Sequence, residues 1–259
     1  MEILTPVLLG AVLGFLIGLT GVGGGALVAP VLYVVLGLSY QEAIALSLIY
    51  SSFTKIVGAA QHLRQGTVVG NVTLLYGLTG VPGAIFGSRL VYAAPPAVQA
   101  AFPFVLGGVL ILVSALLAME TRVSQLAARA KPFSLKRLAW PTVVTVTCIQ
   151  LGVGILMGLT SVGSGSLVIL SMLWLFDMPA KLIVGSSIVI ALIMVLPAAA
   201  THFVAAEVGW ATLAPMLAGS AGGAVLGSRA VLLMRERDLK LAIVALVMLG
   251  GIATIAKAW

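Results

Sequence analysis

The fold class this sequence predicts is an all-α integral membrane protein with two inverted-topology repeats. Each repeat has about five hydrophobic segments and a short broken helix, or hairpin, at a glycine-rich motif. Three observations carry this. Of 259 residues, 61% are hydrophobic and 8% charged, which excludes an ordinary soluble domain. Runs such as Phe102 to Met119 are continuously apolar and long enough to span, whereas a β-barrel would show short segments alternating apolar and polar residues. Finally, GLTGVGGGALV at Gly18 to Val28 returns 140 residues later as GLTSVGSGSLV at Gly158 to Val168, identical at eight of eleven positions. One membrane unit is therefore present twice.

The first segment, Ile3 to Thr20, begins after an acid and shows no basic leader or small-residue cleavage site, so it reads as a retained helix and not as a signal peptide. The second, Ala26 to Leu38, follows the glycine run. At about 1.5 Å per residue it reaches roughly 20 Å, too little for a hydrocarbon core of about 30 Å. Ala43 to Gln61, Val68 to Ala93 and Ala97 to Ala118 complete the first copy. Met119 to Arg137, with Arg122, Arg129, Lys131, Lys136 and Arg137 around Glu120, is a basic linker. The second copy runs through Leu138 to Thr160, Ser166 to Phe176, Leu182 to Phe203, Val208 to Met234 and Leu239 to Ala256. The expected organisation is thus a first repeat at 1–118, a cytoplasmic linker at 119–137 and a second repeat at 138–259. The offset persists outside the motif: Gly83 to Arg89 falls on Gly223 to Arg229, His62 on His202, and Ser47 on Ser187.

Charge decides the orientation. If every segment crosses and the linker is cytoplasmic, then Arg64, the linker, Lys181, Arg229 and the Arg235 to Lys240 cluster lie inside, leaving Arg89 and Lys257 outside. An even number of crossings per copy would move Lys181 and the Arg229 to Lys240 cluster outside and nearly equalise the two faces. The positive-inside rule therefore favours inverted copies with both termini outside. Because the basic residues flank apolar spans, the net charge of +7 sets membrane orientation, and no nucleic-acid partner is expected. The lone Cys148 permits neither an intramolecular disulfide nor a cysteine metal site and reads as a small buried residue. No metal or cofactor is expected, and the sequence does not give the oligomeric state.

A second segment too short to span makes segments one and two a hairpin whose tip lies at depth. Irregular backbone there is tolerated only where protein buries it or water reaches it, so the two tips should line a shared cavity. A helix starting at Gly25 or Gly165 points unpaired N–H groups and partial positive charge at that cavity, which suits an anion. Gly21, Gly23, Gly24 and Gly25 leave no side chain between those groups and a ligand. In the second copy Ser161, Ser164 and Ser166 add hydroxyl donors around Gly163 and Gly165, and Thr20 and Thr160 precede each turn. Close helix packing also explains small residues, but it does not explain a helix that stops short. For Gly83-xxx-Gly87 and Gly223-xxx-Gly227, in full-length spans, packing is the favoured reading.

Lys55 lies inside the third segment, where Val195 is its counterpart. It either balances a bound anion or snorkels to the headgroups. His62 and His202 sit at matched segment ends, where helix-end hydrogen bonding is favoured over a proton relay. Arg89 and Arg229 either attract anions at the entrances or snorkel. Glu2, Glu42, Glu120, Asp177, Glu207, Glu236 and Asp238 all fall at or near segment ends, so no mid-span carboxylate is available for coupling. An exporter of anions has no need of one, since 100 mV negative inside favours exit of one negative charge by about 2.3 kcal/mol.

Two enzyme readings fail on context. Gly21 to Ala26 nearly fits GxGxxG/A with Glu42 about 20 residues on, yet no βαβ unit surrounds it. Ser164 with His202 could serve a hydrolase, but Gly24 stands where the first copy would need its nucleophile. The chain is expected not to be an enzyme.

GLTGVGGGALVAPVL at Gly18 to Leu32 with its GxGGGxxxxP pattern ending at Pro30, Ala45 to Leu48, the His62 to Gly66 stretch and the second motif at Gly158 to Val168 together resemble the TauE/SafE (TSUP) sulfite exporter family of membrane permeases. The second copy departs from the pattern with Leu170 in place of a proline. What the resemblance implies is transport, usually outward, of sulfur-containing anions: sulfite, or organosulfonates such as sulfoacetate. The resulting expectation is a secondary transporter in the bacterial cytoplasmic (inner) membrane that works by alternating access and binds its anion between Thr20 to Gly25 and Thr160 to Ser166, with Ser47, Ser187 and Lys55 nearby. A passive anion channel and an anion-binding membrane sensor or scaffold are the alternatives.

Overall fold

The computed structural model describes residues 4–20, 24–127, 140–163, 165–176, 178–205, 210–231 and 236–259. These residues form eleven α-helices and no strand. In the first half they are α1 (Leu4–Thr20), α2 (Gly24–Val34), α3 (Tyr40–Arg64), α4 (Gly70–Ala93), α5 (Pro96–Gln99) and α6 (Phe102–Ala127). The second half has α7 (Trp140–Thr160), α8 (Ser166–Leu175), α9 (Ala180–Ala205), α10 (Trp210–Val231) and α11 (Glu236–Ala258). Six candidate spans are long and apolar enough to cross a membrane, on α3, α4, α5 with α6, α7, α9 and α11. The chain is an all-α integral membrane protein.

Helices α2 and α8 have 11 and 10 residues, hence lengths of only about 15 to 17 Å. Helix α1 ends at Thr20 with α2 beginning at Gly24, and α7 ends at Thr160 with α8 beginning at Ser166, on either side of the two glycine-rich motifs. Helix α3 starts with a capping box in which Ser39 N–H donates to Glu42 Oε2 at 3.0 Å and Glu42 N–H to Ser39 Oγ at 3.3 Å. Glu42, the acid of the discarded dinucleotide pattern, thus caps a helix. The segment read as continuous over Ala97 to Ala118 is instead split. Pro96 starts the one-turn α5, and the chain turns at Ala100 before α6 opens at Phe102 with Pro103 in its first turn, where a proline's missing N–H costs no helical bond. Helix α6 runs on to Ala127; the remainder of the basic linker, at 128–137, lies outside the described residues.

The helices pack in matched pairs. Helix α1 lies along α10 and α4 along α7, and exchanging the halves by the repeat offset converts one pair into the other. The same exchange converts α2 beside α11 into α8 beside α6, and α2 beside α3 into α8 beside α9. Helices α3 and α9 pair with each other, as do α6 and α11. Both of these pairs run antiparallel: Gly58 of α3 meets Ile188 while Thr67, just beyond the end of α3, meets Gly185, and Gly107 meets Gly251 while Ser114 bonds Val244.

Small residues set the closest crossings. A side chain at Gly83 or Gly87 would strike the carbonyls of Leu151 or Ile155 on α7, and one at Gly223 would strike that of Ala11 on α1. Those positions serve helix packing, as their spacing suggested. Cys148 differs from its expected burial, because it sits exposed on α7. An exposed position on a membrane helix favours a small apolar group as much as a core does, so composition alone could not separate the two.

Candidate functional site

The two broken helices meet. Gly25, in the first turn of α2, lies so close to Ser161 at the end of α7 that a Cβ on Gly25 would overlap the Ser161 carbonyl oxygen. Ser161 Oγ in turn lies 2.9 Å from Ser47 Oγ on α3. Backbone of one tip, a hydroxyl of the other and a hydroxyl of α3 thus converge at one buried point.

Ending a helix inside a membrane leaves its last carbonyls without partners unless side chains supply them. At α7 the carbonyls of Met157, Gly158 and Leu159 all find donors, and a fourth bond reinforces the turn before them at Leu156. Thr160 Oγ1 donates to Leu156 O at 2.6 Å, Ser161 N–H to Met157 O at 2.7 Å, His202 Nε2 to Gly158 O at 3.1 Å and Tyr40 OH to Leu159 O at 2.6 Å. Because a carbonyl only accepts, His202 carries its proton on Nε2. Its Nδ1 then accepts from Tyr92 OH at 2.8 Å. The imidazole is fully engaged as a buried brace of the broken helix. His62 makes a local bond instead: Thr67 Oγ1 donates to His62 O at 3.1 Å, so His62 Nδ1 donates to Thr67 Oγ1 at 2.8 Å.

Ser161 adopts φ 62°, the only positive φ outside glycine among the described residues. The left-handed conformation costs a residue with a Cβ about 1–2 kcal/mol, and the matching position in the first copy is Gly21. The serine is held there by its N–H bond to Met157 and its hydroxyl contact to Ser47. After Gly163, whose φ is 102°, α8 begins with Gly165 as N-cap and no side-chain capping bond. Its N-terminus therefore presents backbone donors that no side chain of its own cap covers.

The remaining expected positions divide clearly. Thr20 ends α1 and Gly24 opens α2, while Ser166 opens α8, half-buried. Ser187 is buried and donates to Val184 O of its own helix at 2.8 Å. Lys55 is half-buried, and its Nζ donates to Ser51 Oγ at 2.7 Å, two turns of α3 beyond Ser47. Arg89 and Arg229 are exposed. Gly21, Gly23 and Ser164 lie outside the described residues. Sequence reasoning passed over Ser51, although its spacing of four from both Ser47 and Lys55 was readable. Tyr40 and Tyr92 left no such signal, since their repeat counterparts are Ala180 and Leu232.

A helical bundle with a half-length helix in each half, in which the start of the first meets the polar chain end that leads into the second, is the architecture of a membrane transporter. The family described as sulfite exporter TauE/SafE matches residues 7–254, and the chain belongs to it. Among curated proteins, the chain is 31% identical over 258 residues to the probable membrane transporter protein YjnA of Bacillus subtilis (strain 168), covering 96% of this chain and 98% of the relative. It is 24% identical over 241 residues to the probable membrane transporter protein YdhB of the same organism, covering 93% and 94%. No solved structure matches. The protein is a multi-pass membrane transporter and not an enzyme.

Proposed function

We propose that the protein is a secondary carrier that exports sulfite or a small organosulfonate across the bacterial cytoplasmic membrane by alternating access. The observation that carries this reading is the junction of Gly25, Ser161 and Ser47 beside the start of α8. It brings two hydroxyls together close in the chain to a helix N-terminus that has no side-chain cap, and hydroxyl and N–H donors of this kind suit a tetrahedral or pyramidal oxyanion. Thr20 to Gly25, Thr160 to Ser166, Ser47, Ser187 and Lys55 form the binding region in this reading. His202 holds it in shape.

The inverted arrangement of repeats 1–118 and 138–259 has its support in α3 with α9 and in α6 with α11. Copies related by an axis along the membrane normal would place such self-matched helices parallel. Both pairs are antiparallel, as an axis in the membrane plane requires. With the basic linker in the cytoplasm, both termini lie outside.

Anion-dependent melting of the purified protein tests the substrate class. A ligand at 100 times its Kd adds about 2.7 kcal/mol to the folded state. Sulfite or sulfoacetate should therefore raise Tm by several degrees over chloride at equal ionic strength. Equal Tm in all three would remove the sulfur anions as ligands.

A further inference from the structure

The tips account for the centre of the protein but not for how an anion reaches either face. Ser47, Ser51 and Lys55 follow one another at intervals of four along α3 and so share a side of the helix. Ser47 touches Ser161, Ser51 is 1% exposed, and Lys55 is half-buried with its ammonium on the Ser51 hydroxyl. Polar groups thus run from the junction of the tips towards the Arg64 end of α3. The repeat places Ser187, Ala191 and Val195 in the same register on α9, and each of the three is 1% exposed. Beyond Ser187 that face is apolar and closed.

Neighbouring helices show the same asymmetry. Ile193 and Met194 of α9 fit against Gly77 and Gly80 of α4. Their counterparts on α3 are Phe53 and Thr54, and those of the two glycines on α10 are Leu217 and Ser220. Yet α3 and α10 meet over a far shorter stretch than α9 and α4. Tyr50 OH bonds Ser220 Oγ, while Phe53 is 50% exposed.

We propose that the Ser47, Ser51 and Lys55 face of α3 is the anion path between the tips and the membrane face at Arg64, and that the matching face of α9 is the closed path to the opposite side. Lys55 holds a positive charge beside the path, and Ser51 hands its hydroxyl between Lys55 and the tip. The proposal rests on the carrier reading, in which one path opens while its symmetry mate is sealed; the two faces are equally buried at Ser51 and Ala191 and differ at their outer ends, where Lys55 is half-buried and Val195 is closed. Movement to the other state would close α10 onto α3 and part α4 from α9.

Side-specific labelling of single cysteines tests this. In a Cys148→Ser background, Ser51→Cys, Lys55→Cys, Ala191→Cys and Val195→Cys are exposed in sealed vesicles of each orientation to a membrane-impermeant quaternary-ammonium methanethiosulfonate. The two α3 positions should react only from the Arg64 face, Lys55→Cys about tenfold faster than Val195→Cys, the ratio expected of a population resting mainly in one state, and Ser51→Cys faster than the equally buried Ala191→Cys. Equal rates on the two helices would overturn the proposal, as would labelling of the α3 positions from the opposite face or from neither. Should Lys55→Cys fail to fold, Ser51→Cys decides alone. Labelling needs no transport, so the two readings fail separately. Sulfonate flux with equal labelling sinks the path, whereas the expected labelling without flux of any sulfur anion sinks the carrier.

Discussion

Gly25→Val will abolish anion flux while leaving the helical bundle folded. The first atom added at Gly25 meets the backbone carbonyl oxygen of Ser161, which cannot swing aside as a flexible side chain would. Overpacking of this kind costs about 1–3 kcal/mol, set against a typical domain stability of about 5–15 kcal/mol. The bundle thus survives by moving one tip away from the other, and the junction that also includes Ser47 opens. Flux of sulfite into proteoliposomes, with Tm measured alongside, reads both effects. Wild-type flux in this variant would exclude the α2 tip as the binding site.

Ser161→Val carries the second large effect. At φ 62° a β-branched residue is a genuine outlier, and strained backbone of this sort costs about 1–3 kcal/mol. The change also removes the hydroxyl that reaches Ser47. Both Tm and flux should fall. Ser161→Gly separates the two contributions, because it restores the residue that the first copy carries at Gly21 and accepts the backbone conformation without strain. That variant should keep its Tm within a few degrees and lose about tenfold in flux, the equivalent of one hydrogen bond of about 1.4 kcal/mol. Normal Tm and flux in Ser161→Val would refute the role given to this turn.

The membrane class was legible because it leaves a compositional mark, and the short helices α2 and α8 because a glycine-rich run precedes each. The short second segment followed from counting residues between Gly25 and the next loop. Other features leave no such mark. Whether Cys148 faces in or out depends on which side of α7 meets α4, and a helix apolar on all sides does not declare that side in its sequence. The partners that satisfy the end of α7 come from α3 and α9, far away in sequence and without repeat partners in the case of Tyr40. The two histidines look equivalent at matched positions, yet His202 is buried against Gly158 and Tyr92 whereas His62 bonds only within its own turn. Tertiary packing separated residues that the offset had made alike. Lys55 and Ser51 show the converse: the four-residue spacing was present in the chain, and only the bond between them made it meaningful.

Carriage of a sulfur-containing anion between the two tips is the step on which the proposed function stands. Its most direct test is flux through the purified protein in liposomes, with sulfite and sulfoacetate offered separately across an imposed membrane potential. Saturable movement of at least one of them, accelerated when the potential drives the anion and lost in Gly25→Val, is the predicted result. Absence of flux for both anions, or flux that rises linearly with concentration and survives in Gly25→Val, would contradict the account.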